Sequence, residues 1–309
     1  DHSKQALKVK YLRKLLTQND FVAVTETHSC SGGVLAWSSR ADSTFWWSHG
    51  SRHRAGVAVG VKNKFLEQFD EPQPEDWEEL TPGRAAVLHL RGDLGCLDIY
   101  VVYFATGTPT VVGNQCPGPL DDVSIKSQRK EMRSRIHRAL ADQRKTLSIV
   151  LGDFNWVAER TDRMSKMSAC PSTSHDEAEE RHWLSAENAQ GLHEMHQPLA
   201  THDSAQVRSR LDRVYWNQHL AEQLDRSLQC AALEWLPHLS AHRAVSFARR
   251  TPCRVDCATK PLPRQAVLHA DWPQRTALHF QELRKGMARP DNALESLTNL
   301  KIAMRLAAE

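Results

Sequence analysis

What this chain lacks narrows its chemistry early. No run of about 18 apolar residues occurs in its 309 residues, so nothing reads as a membrane-spanning helix. No signal-type apolar segment or initiator Met stands at the start, and the chain reads as an excised piece of something longer. The glycine-rich cradle with which P-loop enzymes hold phosphates is absent. Seven cysteines, odd in number and scattered, favour free thiols in a reducing compartment over a disulfide framework. Cys253 and Cys257 have no second pair to complete a zinc site. His193-Glu194-Met195-His196 spaces its histidines three apart, which does not match the HExxH arrangement of two zinc ligands on one helical face. An excess of one charge is also missing: 40 Lys and Arg against 37 Asp and Glu leave +3, weak evidence for any partner.

With 40% apolar and 25% charged residues, the sequence can bury one large core with a small appendage. Leu7, Tyr11 and Leu15 at helical spacing predict a helix over 3–17. Strand-like runs follow at 21–26, 33–37, 55–61, 85–90 and 96–104, and the acidic, proline-bearing stretch 71–79 reads as a loop. Ile125, Met132, Ile136 and Leu140 mark one face of a long helix over 122–144 whose basic opposite face reads as solvated. A polar loop at 160–175, a helix at 176–190, and strands at 209–216 and 244–248 complete the first part. Few βαβ repeats occur, and the order of strands, helix, strands suits two packed mixed sheets flanked by helices, an α+β class. Near residue 250 the character turns Pro- and Arg-rich, and helices are predicted at 273–288 and 291–307.

Four segments carry the chemistry. The run Ser148-Ile149-Val150-Leu151 leads into Gly152-Asp153-Phe154-Asn155, so a buried strand ends by presenting a carboxylate and a carboxamide two residues apart, a pairing suited to phosphate-ester chemistry. Residues i and i+2 of a strand share a side, which would let Asp153 and Asn155 reach one centre with Phe154 packed behind. Val22-Ala23-Val24-Thr25 runs into Glu26, an acid that needs a cation at the end of an apolar strand. An arginine or a hard divalent ion would serve. Ser209 to Tyr215 alternates around an inward Asp212, and Leu239-Ser240-Ala241 ends in His242.

Taken in order, these segments resemble the endonuclease/exonuclease/phosphatase superfamily, whose motifs are a strand ending in ET, then GDFN, SR(I/L)D and SDH. The resemblance spans about residues 4–250. It is closest to the endonuclease domains of LINE-type retrotransposons, where wording like Glu26-Thr27-His28 and Ser209-Arg210-Leu211-Asp212-Arg213-Val214-Tyr215 recurs. It implies a DNase-I-like four-layer α/β/β/α sandwich over 1–250 lacking the usual first strand. Residues 251–309 would form a connector and helical extension, leading toward a reverse transcriptase in the same polyprotein or docking as a helical hairpin.

The resemblance also implies roles. Glu26 would bind Mg²⁺, with Mn²⁺ as the alternative; Asp153 would orient or deprotonate the attacking water; and Asn155 would hold a phosphate oxygen or an active-site group. Asp212 would fix His242, which faces the scissile phosphate, and Tyr103 would stand near that phosphate at a strand end. Ser209 and Thr201 match weaker polar positions, and His53 and Arg54 lie in a loop that in the nucleases touches the DNA backbone. DNA is the expected partner, without a membrane, in an intracellular and nuclear setting. Two departures bear on activity: Ala241 replaces the Asp of the last motif, and the early strand whose Asn helps at the metal is missing, so metal affinity should suffer. The alternatives are an abasic-site or small-molecule phosphoesterase, and a catalytically impaired relative that binds nucleic acid or protein.

Overall fold

The computed structural model describes residues 2–30, 42–51, 55–93, 95–106, 122–142, 146–168, 170–171, 177–183, 191–217, 228–249, 269–286 and 303–304. In chain order the elements are α1 (His2–Gln18), β1 (Phe21–Thr25), β2 (Ser43–Ser48), β3 (Val57–Lys62), the single turn α2 (Asn63–Leu66), β4 (Trp77–Thr81), β5 (Ala85–Gly92), β6 (Gly95–Tyr103), α3 (Asp122–Asp142), β7 (Leu147–Asp153), β8 (Arg163–Ser165), α4 (Glu177–Trp183), β9 (His193–Glu194), β10 (His202–Asp203), β11 (Val207–Ser209), β12 (Asp212–Trp216), β13 (Leu228–Ala232), β14 (Val245–Arg249) and α5 (Trp272–Gly286). Two compact units meet in sequence at Arg249 and Arg250, and α5 belongs to the second.

The first unit is organised by a six-stranded sheet ordered β4-β5-β6-β7-β12-β9, in which only β6 and β7 run parallel. Its two faces are both apolar, as a central sheet requires. Tyr100 and Val102 of β6, and Phe104 just beyond its end, pack with Met132, Ile136 and Leu140 of α3 and with Trp183 of α4. The alternate residues Ile99 and Val101 pack against Val57, Val59 and Val61 of β3. Strand β3 is the middle of a second sheet, β1-β3-β2, while β13 and β14 pair as a separate two-stranded ribbon that adds Val245 and Phe247 to the same core. Leu12 and Leu16 of α1 are buried, and α1 contacts β1 and β3. Helices, sheet, sheet and helix therefore stack as an α/β/β/α sandwich.

Several expectations needed tertiary context. The stretch 71–79 is not all loop: a 3₁₀ turn at Pro74–Asp76 leads into β4, where Trp77 pairs with Leu88 of β5. The sheet edge supplies backbone partners that local composition does not reveal. Nor is 209–216 one strand. Ser209 pairs in a small sheet with β8 and β10, whereas Asp212 pairs in the central sheet, and Arg210 and Leu211 carry the chain across. The polar loop 160–175 holds a 3₁₀ turn and β8, and the strands β2, β9, β10 and β13 form where the sequence pattern predicts none. The basic side of α3 is only partly solvated, because Arg129 and Arg133 are buried. The predicted strand at 33–37 lies outside the described residues, as do most of 291–307.

Candidate active site

One row across the central sheet brings the polar residues together. Parallel pairing sets Tyr103 beside Asp153, and antiparallel pairing sets Asp212 on its other side. Gly152 makes that row close: its φ is +144°, and a Cβ there would lie 1.9 Å from the Val102 carbonyl oxygen. Only glycine lets β6 and β7 approach so tightly.

Asp153 ends β7 with 1% exposure, and its charge needs every contact around it. Asn155 supplies two: its backbone N–H donates to Oδ1 at 2.9 Å and its Nδ2 to Oδ2 at 2.8 Å. Asn155 faces Asp153 for a reason other than strand alternation, since β7 has already ended and Asn155 is left-handed at φ +52°. The same Nδ2 also donates to the Phe104 carbonyl at 2.9 Å. Asn155 thus holds an active-site carboxylate directly. Burial raises the Asp153 pKa, Asp212 and Glu26 raise it further, and His242 and the Asn155 N–H act against them.

Asp212 and His242 form the second element. His242 Nδ1 lies 2.9 Å from Asp212 Oδ2, and its Nε2 points toward Asp153 at 3.9 Å. Burial alone would lower the histidine pKa, but Asp212, Asp153 and Glu26 outweigh it and raise it to about 10. The imidazole is therefore charged at neutral pH. Thr201, fully buried, anchors the acid, because its Oγ1 accepts the backbone N–H groups of both Leu211 and Asp212 at 3.0 Å.

Glu26 follows β1 at the mouth of the site, exposed and left-handed at φ +52°. Such a conformation is uncommon outside glycine and persists only where surroundings enforce it. The Tyr103 hydroxyl donates to Glu26 Oε1 at 2.5 Å. Burial and then the Glu26 charge push the Tyr103 pKa well above the usual phenol range, so Tyr103 stays a donor. Arg84 lies over its ring, 5.0 Å from the centroid.

Not every predicted residue joins this group. Ser209 is buried, and its hydroxyl accepts from Arg163 at 3.2 Å. His53 and Arg54 lie outside the described residues. Four contributors lie outside the sequence reading. Arg129 donates from α3 to the carbonyls of Ala105 and Asn155, tying together the chain ends beyond β6 and β7. Arg210 and Arg213, flanking Asp212, both reach the Asp162 carboxylate, at 2.6 and 2.9 Å. His202 sets its ring 4.6 Å from that of His242. The doubled arginine of Ser209–Arg213 was the available signal for the buried pair; charge patterning alone assigns such residues to the surface.

Three carboxylates influence one another here, and burial first and then that crowding raise the proton affinity of Asp153. Ligand atoms of Asp153, Asp212 and His242 come within 4.8 Å of one another. Carboxylate oxygens and an imidazole gathered this closely are a donor set that fits a divalent cation. Glu26 is not one of those three and adjoins the site through the Tyr103 hydroxyl.

A buried acid, a charged histidine held by a second acid, and a carboxylate cluster on a DNase-I-like sandwich define a phosphoester hydrolase of the nuclease and phosphatase class. Residues 3–228 match the Endonuclease/Exonuclease/phosphatase family, and the chain belongs to it. Among solved structures it is similar to an AP endonuclease from Archaeoglobus fulgidus, at 16% identity and a TM-score of 0.56 over 78% of this chain and 92% of that one. It is also similar to the 3' phosphatase NExo from Neisseria bound to product DNA hairpin, at 15% identity and a TM-score of 0.56 over 79% and 94%. A 3'-5' exonuclease from Neisseria meningitidis follows, at 16% identity and a TM-score of 0.53 over 79% and 95%. These likenesses are of fold. No curated protein sequence matches the chain significantly.

Proposed function

We propose that this chain is a Mg²⁺-dependent endonuclease that hydrolyses a DNA phosphodiester and serves as the target-nicking domain of a retrotransposon polyprotein. The observation that carries the hydrolytic reading is the Asp153 carboxylate, buried and held between Tyr103 and Asp212 with the His242 imidazole 3.9 Å away. Asp153 takes a proton from the attacking water, for which burial and its acidic neighbours suit it. Charged His242 faces the phosphate and offsets the negative charge that develops on its oxygens, where most catalysis of phosphoryl transfer arises. Asp212 keeps that imidazole oriented and charged. A divalent ion held at Glu26 would add further charge stabilisation.

The DNA substrate is supported by the family and by the Neisseria 3' phosphatase solved with product DNA. The retrotransposon setting, a reverse transcriptase in the same polyprotein and a nuclear location rest on the wording of the Glu26, Asp153 and Asp212 motifs. Ala241 favours a second reading, a relative of reduced activity that binds nucleic acid or a partner protein. A nicking assay on supercoiled plasmid separates the two: Mg²⁺-dependent relaxation abolished by EDTA supports the endonuclease. Cleavage that persists in EDTA overturns the metal mechanism, and no cleavage at any Mg²⁺ concentration leaves the binding relative.

A further inference from the structure

The residue after His242 is an arginine that no acid neutralises. Arg243 meets no carboxylate among the described residues, and the hydrogen bond its guanidinium makes there runs from Nε to the Ala200 carbonyl at 2.6 Å. Its guanidinium carbon lies over the Trp235 ring, 4.9 Å from the centroid. A carbonyl at one edge and an aromatic face beneath hold the side chain in place. The donors on Nη1 and Nη2, at the far end of the group, have no acceptor among the described residues.

The backbone carrying it is equally fixed. The Arg243 N–H donates to the Thr201 carbonyl at 2.9 Å, His242 bridges His202, and the Asp203 N–H donates to the Ala241 carbonyl at 3.0 Å, so residues 241–243 are zipped to 201–203. Thr201 is also the residue that anchors Asp212. The free end of Arg243 is therefore registered to the same frame that orients His242. The charge around it is unbalanced as well. Asp203 is taken up by Lys166 and Arg208, the latter at 3.7 Å. Partial burial and then the Arg208 charge hold the Arg243 pKa below the ordinary guanidinium value, so the two arginines repel each other. An anion beside them would relieve that repulsion, and the planar fork of a guanidinium suits the paired oxygens of a phosphate.

We propose that Arg243, shelved on Trp235, grips the non-bridging oxygens of a phosphate next to the scissile one in the same nucleic-acid strand. The subsite deepens the nuclease reading and rests on it. A polynucleotide delivers the second phosphate automatically, because a diester inside a strand has neighbours. An isolated phosphoester brings a single anion, which His242 faces, and leaves Arg243 unused. The subsite thus selects a strand over a small phosphoester, and as a backbone contact it does so without reading base sequence.

Salt titrations of duplex binding by the whole chain test it, read by anisotropy of a labelled DNA duplex with EDTA present to prevent cleavage. Arg243→Gln keeps much of the stem over Trp235 but removes the charge. It should weaken binding about tenfold and reduce the slope of log affinity against log salt by about 0.9, the value for one neutralised phosphate. Lys64→Ala removes the same unit of charge from α2 and should leave the slope at the wild-type value. Arg243→Lys should keep the slope and lose part of the affinity, because an ammonium is a point charge without the fork. Trp235→Leu should weaken binding about threefold with the slope kept, through loss of the aromatic shelf. A merely structural role for Arg243 would move stability and not the salt slope. Wild-type binding whose slope Arg243→Gln leaves unchanged, or Lys64→Ala reduces equally, overturns the subsite while the nuclease reading stands. A wild-type chain that binds no duplex at any salt overturns both.

Discussion

Asp212 and His242, thirty residues apart, meet at 2.9 Å across the end of the central sheet. The acid comes from a strand of that sheet and the histidine from the turn before β14, with Thr201 holding the acid by two backbone N–H groups. The pair decides both how the imidazole points and how long it stays charged.

The charge has a measurable pH signature. The histidine pKa is raised in the folded chain from an ordinary 6.5 to about 10. Its stabilising contribution should be fully present below about pH 6.5 and fade as pH rises through about 10. Thermal melts of wild type and Asp212→Asn against pH check this, with the gap in Tm largest below pH 6.5 and shrinking on the alkaline side. A gap that widens at alkaline pH would contradict the assignment.

Catalysis should depend steeply on the same group. Asp153→Ala and His242→Ala should each lower plasmid nicking by about 10²-fold or more with the fold retained, as loss of a transition-state stabiliser does. Rates unchanged at equal folded protein, verified by circular dichroism, would place the cleavage elsewhere.

Gly152 is a structural prediction about the site. An alanine there would put its Cβ on the Val102 carbonyl at a φ of +144°. Gly152→Ala should cost about 3 kcal/mol or more, combining a strained backbone with a forced separation of β6 and β7. Denaturant unfolding reads the cost, and a loss below about 1 kcal/mol would mean the strands part easily.

Ala241 is exposed immediately before His242. Ala241→Asp should add a carboxylate beside the site and lower the Mg²⁺ concentration for half-maximal nicking, since ligand charge is a main determinant of hard-cation affinity. Superimposed Mg²⁺ titrations of the two proteins would place residue 241 away from the metal.

DNA binding should weaken as salt rises, because neutralised phosphates release counterions. With a net charge of only +3, the slope should be modest. Fluorescence anisotropy on a labelled duplex measures it, and binding that is flat from low to physiological salt would point to a protein or small-molecule partner.

The sequence by itself determined the parts of this protein that local chemistry fixes. Alternation and apolar runs marked β3, β5, β6 and β7, the 3.6 spacing marked α1 and α3, and the order of four short motifs carried the family. It also named Glu26, Asp153, Asn155, Asp212 and His242, because residue type and strand-end position are both written locally. Only the tertiary structure decided how they meet. Asn155 faces Asp153 through a left-handed turn instead of strand alternation, and the apparent strand at 209–216 divides because its halves pair in different sheets. Arg129 reads as part of a solvated helix face in sequence, yet the fold buries it along with Arg210 and Arg213, since carbonyls and the Asp162 carboxylate from distant segments replace the water they lose.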